Sequence, residues 1–331
     1  MDPTREVAVR AVMVDETGGP EVLHVREVEP PVPGPGQVAV GVAASGVNFI
    51  DIYERTGAYP KQTPFLTGSE GAGVVTQVGT SVSGVAVGDR VAWAMVPGGG
   101  YAERVVVPAD RVVPVPPEVD LETAAAVLLQ GMTAHYLCES TFPVRDGQTV
   151  LVHAAAGGLG LLLTQMVSAK GARVIGTVST PEKAELARKA GATEVIDYTS
   201  ADVVTEVDRL TGGRGVDVVY DGVGRATFDA SLDCLVPRGM LVLLGASSGP
   251  VPPLDPQVLN RKGSLYLTRP SLGHYIASRA ELLQRAEDVL GMVGAGRLSV
   301  RIGGRYPYED AGRAHEDLAG RRTTGKLLVV P

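Results

Sequence analysis

The chain has 331 residues, 44% of them hydrophobic, and its 37 acidic against 30 basic residues give a formal net charge of -7. A chain of this length is expected to form two domains, because a single core rarely grows that large. No block of lysines and arginines offers a stripe for a nucleic acid duplex, so nucleic acid is not expected as a main partner.

The cysteines and the apolar segments of the chain indicate the cellular compartment in which the protein is expected. Cys138 and Cys234 are too few for a disulfide framework and lack the spacing of a metal site, so we expect buried free thiols in a reducing cytoplasm. Residues 1–6 include acids where a secretory signal needs bases. Polar residues and glycines interrupt the apolar stretch 149–169, so we predict no membrane-spanning segment.

Short valine-rich segments punctuated by glycine and proline dominate the chain up to Pro116. They predict strands without long helices between them, which indicates an antiparallel, partly barrel-like unit. Four prolines within 30–35 bar regular strand pairing in that connector. The predicted strands are 8–14, 37–47, 73–78, 90–96 and 102–107.

After Leu121, strand patterns alternate with helix patterns, which predicts an α/β fold with a doubly wound parallel sheet. The predicted strands here are 150–152, 174–178, 194–196, 216–220, 240–245 and 264–268, and the helices include 182–190 and 228–236. A helix over 280–293, a short helix near 309–319 and a strand over 326–330 follow. Because this tail has no second glycine-rich turn, we assign it to the first unit.

A glycine-rich turn separates the strand pattern 149–152 from the helix pattern 161–170. Its sequence is Ala154-Ala155-Ala156-Gly157-Gly158-Leu159-Gly160. The order strand, turn, helix aims amide groups at one point, where the helix dipole favours a phosphate. A turn without a ligand needs only one or two glycines, whereas these small residues keep side chains away from the whole loop. We therefore predict a dinucleotide-binding site.

The end of the next strand distinguishes the two nicotinamide cofactors. A carboxylate there would bind the ribose 2'-hydroxyl and repel a 2'-phosphate. The strand 174–178 instead ends in Ser179-Thr180, and Lys183 lies one helical turn further, within reach of a phosphate near Ser179. We predict NADPH rather than NADH, although a lysine at such a position is also typical of a solvated helix surface.

Five motifs in this order resemble those of the zeta-crystallin-like quinone oxidoreductases, within the medium-chain dehydrogenase/reductase superfamily. The resemblance covers essentially the whole chain, and five ordered motifs are more specific than any one alone. One departure is Ser168, where the family pattern tends to have a basic residue on the helix. The motifs lie at 46–51, 68–73, 88–91, 155–160 with Gln165, and 263–266 leading to 268–270.

The resemblance implies a GroES-like, mainly antiparallel β catalytic domain over 1–127 and 271–331 and a Rossmann NADPH-binding domain over 128–270. It also implies a homodimer joined by edge strands of the Rossmann sheets. Lys183, Tyr198 and Arg321 would surround the 2'-phosphate, with Arg322 as the alternative to Arg321. The implied cofactor-binding residues are Gly131, Thr133, Ala155, Gly157, Gly158, Leu159, Gly160, Ser179, Lys183, Tyr198, Gly245, Ser247 and Arg321.

Zinc-dependent members of this superfamily have metal ligands at three places where this chain differs. Asn48 stands in place of a cysteine, Ser69-Glu70 in place of a His-Glu pair, and Gly131-Met132-Thr133 in place of a second cysteine. The structural zinc lobe with four cysteines is missing too. Asparagine, serine and methionine do not replace thiolate and imidazole ligands of zinc, so we expect a metal-free enzyme.

Without zinc, the acceptor itself must stabilise the negative charge that follows hydride addition. A quinone does so as a phenolate, whose conjugate acid has a pKa of about 10, and an activated alkene does so as an enolate. We therefore expect an NADPH-dependent quinone reductase. The alternatives are an NADPH-dependent reductase of 2-alkenals or enoyl thioesters, and a non-catalytic NADPH-binding structural protein.

Asn48, Tyr53 and Tyr59 lie in the motif that resembles the active-site wall, and their polar groups are candidates for orienting the acceptor oxygen. Arg269 is a candidate for lining the cleft. In the alternative interpretation, Asn48 caps local backbone and the two tyrosines simply pack. Catalysis would rest mainly on positioning, with the nicotinamide C4 held about 3–3.5 Å from the acceptor carbon.

Overall fold

The computed structural model describes residues 8–331, which form two compact units. One comprises the chain up to Met132 together with Ile276–Pro331, and the other is Thr133–Tyr275. The prediction that residues 1–6 lack a secretory signal falls outside the described residues. Within residues 8–331, no helix has both the length and the apolar content that crossing a membrane requires.

Strands and helices follow the chain in this order. The strands are β1 (Val9–Val14), β2 (Leu23–Val28), β3 (Gln37–Gly46), β4 (Phe65–Leu66), β5 (Glu70–Val78), β6 (Arg90–Ala94), β7 (Arg104–Pro108), β8 (Val113–Pro114), β9 (Thr149–Val152), β10 (Arg173–Val178), β11 (Glu194–Asp197), β12 (Val216–Asp221), β13 (Leu235–Leu243), β14 (Tyr266–Thr268), β15 (Ile302–Pro307) and β16 (Lys326–Val330). The α-helices are α1 (Phe49–Thr56), α2 (Leu121–Tyr136), α3 (Gly158–Ala169), α4 (Pro181–Lys189), α5 (Val203–Thr211), α6 (Phe228–Asp233), α7 (Gln257–Arg261), α8 (Leu272–Tyr275), α9 (Arg279–Gly294) and α10 (Ala311–Ala319).

The first unit is a mainly antiparallel β structure. One sheet has the order β2-β1-β4, and the other has the order β15-β16-β3-β5-β6-β8, with β7 also paired to β3. The valine-rich strands bury one face around Trp93, which is fully enclosed. The terminal strand β16 pairs with the end of β3, where Val329 lies opposite Ser45. This pairing brings the chain's last strand beside the segment that leads into α1.

The second unit contains a six-stranded sheet in the order β11-β10-β9-β12-β13-β14. All of its strand pairs are parallel, and the two central strands are buried on both faces, as continuous apolar runs predict. This architecture confirms the predicted fold class. Two neighbouring boundaries were wrong: α6 ends at Asp233 rather than 236, and β13 covers Leu235–Leu243 rather than 240–245, because Pro237 and Gly239 do not extend a helix.

Several elements escaped the sequence-based prediction. Helix α1 was not predicted because it is only eight residues long and follows directly on a strand. Strand β15 carries two glycines and an alternating pattern of half-buried and exposed residues, which gives little hydrophobic signal. Helix α1 positions two candidate site residues, because Asn48 directly precedes it and Tyr53 lies on it.

Candidate active site

The glycine-rich turn connects β9 to α3, with Gly157 as the residue before the helix. The Gly157 amide donates to the Ala154 carbonyl at 2.9 Å, and the Leu161 amide donates to the Gly157 carbonyl at 2.9 Å. The amides of the first helical turn have no partner one turn earlier in the helix. A Cβ on Gly160 would collide with the Ala154 carbonyl oxygen, so only glycine fits there. The turn suits the pyrophosphate of a dinucleotide, because its residues are small and it leads into the N-terminus of a helix.

Ser179, Lys183 and Tyr198 gather at the end of β10. The Lys183 ammonium donates to the Ser179 hydroxyl at 3.2 Å, and the amide of Tyr198 donates to the Val178 carbonyl at 3.1 Å. Asp197 is the nearby acid, but its carboxylate accepts the Thr199 hydroxyl and amide, which lowers its pKa. The structure thus collects a cation and two hydroxyl-bearing side chains at this edge.

The segments after β12 and β13 lie side by side at the same end of the sheet. The Leu244 amide donates to the Asp221 carbonyl at 2.8 Å, and the Ser247 amide donates to the Gly222 carbonyl at 3.2 Å. Gly245 therefore lies between two residues that are tied to the turn after β12. The glycine-rich turn after β9 lies at this end of the sheet as well, because β9 is parallel to both of its neighbours, β10 and β12.

Two predicted cofactor residues lie on α2, and one has a packing reason to be small. A Cβ on Gly131 would lie 2.6 Å from a methyl carbon of Val289 on α9, so glycine allows these two helices to approach. Thr133 follows in the first residue of the second unit. Arg321 belongs to the first unit, in the loop between α10 and β16, where its neighbour Arg322 is paired with Asp317 at 2.9 Å.

Tyr53 and Tyr59 lie together at the end of α1. Their ring centroids are 5.1 Å apart, and the Tyr59 amide donates to the Tyr53 carbonyl at 2.9 Å. Tyr59 is 42% exposed, whereas Tyr53 is half-buried. Arg269, which belongs to the second unit, is exposed just after β14.

Asn48 begins α1 from within a buried ionic cluster. Its amide nitrogen donates to the Glu70 carboxylate at 2.8 Å and to the Gly46 carbonyl at 3.3 Å, while its oxygen accepts from the Lys326 ammonium at 2.7 Å. Lys326 also pairs with Glu70, and all three side chains are at most 5% exposed. Both amide hydrogens are thus engaged, so this geometry favours the interpretation in which Asn48 holds local structure.

Asp51 extends this cluster as a second buried carboxyl group. Its carboxylate accepts from the Ser69 hydroxyl at 2.8 Å, from the backbone amide of Asn48 at 2.9 Å and from the Tyr101 hydroxyl at 3.3 Å. Burial raises its pKa to about 7 despite these hydrogen bonds. Tyr101 also contacts His315 at 3.1 Å, and burial together with Arg55 lowers the pKa of that imidazole to about 3.

We expect Asp51→Asn to gain stability relative to the wild type as pH rises from about 5 to about 8. The folded pKa of about 7 lies above the ordinary value of 3.8, so the stability that this carboxyl contributes is complete below pH 3.8 and is lost as pH rises through 7. An asparagine cannot ionise and escapes this loss. Urea unfolding at both pH values, followed by fluorescence of the single Trp93, measures the difference.

His315 titrates with the opposite sign, because a lowered imidazole pKa adds stability as pH rises from about 3 to 6.5. Both proteins retain His315, so its contribution cancels from the difference between wild type and variant. A difference that stays constant or shrinks with rising pH would contradict the raised pKa of Asp51.

Sequence reasoning did not single out Lys326, Asp51 or His153 as parts of polar networks. A lysine that opens the final apolar strand was the signal for the first, and a histidine directly after the apolar strand 149–152 was the signal for the last. Their partners come from distant parts of the chain, so neither network is visible as a local motif.

No group of three or more metal-ligating side chains occurs in the part of the chain that the structure describes, residues 8–331. The residues at two of the three expected zinc-ligand positions, Asn48 and Ser69-Glu70, instead bond other side chains of this protein. Asn48 and Glu70 hold Lys326, and the Ser69 hydroxyl donates to Asp51.

Two family models match the chain in its two halves. The alcohol dehydrogenase GroES-like domain matches residues 34–117, and the zinc-binding dehydrogenase family matches residues 158–287. The zinc in the second family's description is not matched by a ligand set at the positions just described.

Similar proteins cover nearly the whole chain. A quinone oxidoreductase of Pseudomonas aeruginosa is 48% identical over 315 residues, which are 95% of this chain and 97% of that protein. A 2-haloacrylate reductase of a Burkholderia species is 41% identical over 98% of this chain and 99% of its own length. The solved structure of Escherichia coli quinone oxidoreductase complexed with NADPH has a TM-score of 0.93 at 41% identity, covering 98% of this chain and 100% of that one.

Proposed function

This chain belongs to the zinc-free quinone oxidoreductases of the medium-chain dehydrogenase/reductase superfamily. We propose that, in NADPH-dependent quinone reduction, one of its two units binds NADPH and the other supplies the catalytic residues. The chain is an enzyme with NADPH as its cofactor and a small molecule as its substrate. We propose that residues 128–270 form the NADPH-binding domain, and 1–127 with 271–331 the catalytic domain. The compact units divide five residues beyond each proposed boundary, after Met132 and Tyr275.

We propose that NADPH binds along the carboxyl ends of the parallel strands, where ligands of open α/β sheets generally bind. The observation that carries this proposal is the turn before α3, where Gly160 lets the loop backbone pack against the Ala154 carbonyl and the first-turn amides can bind a pyrophosphate. Ala155, Gly157, Gly158 and Leu159 complete that turn. When bound, NADPH supplies the hydride.

Ser179, Lys183 and Tyr198 bind the 2'-phosphate in this proposal, and the family resemblance adds Arg321 as a further candidate. A lysine and an arginine suit a phosphate because charged hydrogen bonds are shorter and stronger than neutral ones. The family resemblance indicates Arg321, and Arg322, whose guanidinium pairs with Asp317, is the alternative. Gly245 and Ser247 line the nucleotide from the neighbouring segment, and Gly131 and Thr133 approach it from α2.

We propose that Tyr53 and Tyr59 orient the acceptor, with Arg269 lining the cleft. Tyr59 is 42% exposed and its ring packs against that of Tyr53, so a quinone could approach this pair of phenol-bearing side chains from solvent. Asn48 contributes by holding the start of α1 in place, because its amide is occupied by Glu70 and Lys326. Modest donors suffice, since a reduced quinone carries its negative charge on a phenolate-like oxygen.

An activated alkene is the second candidate acceptor. The 41% identity to a 2-haloacrylate reductase favours it, because that protein's name describes reduction of an electron-poor carbon-carbon double bond. Conjugate addition of hydride leaves an enolate, which needs no metal for the same reason that a phenolate does not.

We expect NADPH oxidation to proceed with benzoquinones and naphthoquinones at a kcat/KM well above that with 2-alkenals and 2-haloacrylates. Initial rates across both panels at fixed enzyme concentration measure this, with NADH in place of NADPH as the cofactor control. Alkene turnover that exceeds quinone turnover by orders of magnitude would overturn quinones as the acceptor class while leaving NADPH binding intact. As an independent check, NADPH at 100 times its Kd should add about 2.7 kcal/mol of stability.

We propose a homodimer formed through an edge of the parallel sheet. Strands β11 and β14 are the edges, and edge strands leave unpaired backbone groups that another chain can complete. Tyr266 on β14 is 59% exposed, which supports this edge over the other. A monomeric mass in sedimentation equilibrium would exclude the dimer.

We also propose a cytoplasmic location, consistent with two buried thiols whose pKa is raised to about 12 by burial.

A further inference from the structure

A chain of hydrogen bonds runs through the second unit beneath the glycine-rich turn. His153 contacts the Thr177 hydroxyl through Nδ1 at 3.0 Å and the Ser231 hydroxyl through Nε2 at 3.0 Å. Ser231 in turn donates to the Asp221 carboxylate at 2.8 Å. All four side chains are at most 5% exposed, so water does not compete for these bonds. Thr177 lies on β10, Asp221 on β12 and Ser231 on α6, and His153 directly follows β9.

The direction of every bond in this chain follows from the chemistry of its end groups. A carboxylate only accepts, so Ser231 donates to Asp221 and must accept from the Nε2 hydrogen of His153. Burial lowers the pKa of His153, which keeps it neutral and leaves Nδ1 as an acceptor for the Thr177 hydroxyl. The Thr177 oxygen is then free to accept the Ala154 amide, at 3.3 Å.

The two ends of this chain meet the two segments proposed to bind NADPH. At one end Ala154 opens the glycine-rich turn with a φ of 52°, a left-handed conformation that L-residues other than glycine rarely adopt. Its carbonyl accepts the Gly157 amide. At the other end Asp221 accepts the amides of Val223 and Gly224 at 2.8 and 3.0 Å, in the turn whose carbonyls bind the segment 247–248.

We propose that Thr177, His153, Ser231 and Asp221 are positioning residues for NADPH, which hold the turn before α3 and the turn after β12 at a fixed spacing. This inference rests on the proposed placement of NADPH along that edge. The Thr177 hydroxyl is the decisive member, because it bonds the imidazole and supports the amide of the strained Ala154. The network is complete from carboxylate to backbone, and a fully connected buried network specifies one geometry.

Removal of the Thr177 hydroxyl by Thr177→Val should raise the Kd for NADPH about tenfold, and Ser231→Ala should do so to a similar extent. Thr177→Ser keeps a hydroxyl and should stay within about twofold of wild type. The matched control is Thr164→Val on α3, since Thr164 is equally buried in the same unit and its hydroxyl has no hydrogen-bond partner. That control should leave NADPH affinity unchanged.

Steady-state kinetics separate positioning from general damage. The KM for NADPH should rise in Thr177→Val while the KM for quinone and kcat at saturating NADPH stay near wild type. The inference is overturned if Thr177→Val binds NADPH as the Thr164→Val control does, or if all kinetic constants deteriorate together and Thr177→Ser fails to restore them. Lys183→Ala in the same titration tells the two proposals apart, because weakened NADPH binding by that variant alone preserves the proposed site and removes only the network.

Discussion

Lys326→Met should lower the free energy of unfolding of the first unit by about 3–5 kcal/mol, because it leaves the Glu70 carboxylate buried without its cation. Lys326 and Glu70 are 2% and 0% exposed in their side chains, and the same ammonium also satisfies the Asn48 oxygen. The loss therefore includes an unsatisfied amide oxygen as well as an unpaired charge. Urea unfolding followed by the fluorescence of Trp93, the chain's single tryptophan, measures it, since that residue is buried in the same unit.

The matched control is Lys61→Met, which makes the same chemical change in an ion pair with Glu54 whose side chains are 19% and 15% exposed. We expect a cost of about 0–1 kcal/mol there, as for pairs that water reaches. Adding Glu70→Gln to Lys326→Met should recover part of the lost stability, because the buried negative charge is then removed. A cost for Lys326→Met no larger than for the control, or losses that simply add in the double variant, would contradict this account.

Lys183→Ala and Arg321→Ala should each weaken NADPH binding by about 1.5–3 kcal/mol, while NADH binding changes little. Only NADPH carries the 2'-phosphate that these cations are proposed to bind. The Lys183 ammonium already reaches the Ser179 hydroxyl at the end of β10, so it is directed at the position where the phosphate would lie. Fluorescence titration with each cofactor gives the two Kd values for every variant.

Two neighbouring cations serve as controls for this pair. Lys189 is an exposed lysine of the same helix as Lys183, and Lys189→Ala should affect neither cofactor. Arg322 pairs with Asp317, and Arg322→Ala should likewise leave the preference for NADPH in place. Equal losses for NADPH and NADH in Lys183→Ala and Arg321→Ala would refute the assignment of these residues to the 2'-phosphate.

Local patterns sufficed for much of the second unit. The run of small residues at 154–160 predicted a strand-to-helix turn, and α3 begins at Gly158 within that run. The strand 174–178 and the helix 182–190 were predicted within a residue of β10 and α4. Parallel strands buried on both faces give continuous apolar runs, whereas the intervening helices repeat their hydrophobic residues with a helical period. Each element can therefore be predicted from its own short segment of sequence.

The buried cluster around Asn48 could not be predicted from local sequence patterns. The sequence suggested that the Asn48 amide orients the acceptor, but whether that amide is free depends on Lys326, which lies 278 positions away along the chain. The pairing of β16 with β3 creates this contact. Register between distant strands depends on the packing of whole sheets, which no short segment of sequence encodes.

By itself, the sequence determined the α/β class, the glycine-rich turn between a strand and a helix, the family and the absence of zinc-type ligands at the expected positions, because each depends on residue types at fixed short spacings. The tertiary structure decided which polar groups meet. It paired Lys326 with Glu70 and Asn48, raised the pKa of Asp51 by burying it, and connected Asp221 to Ala154 through His153. The burial of a side chain and its hydrogen-bond partners depend on residues that are distant in sequence, and those residues become neighbours only when the chain folds.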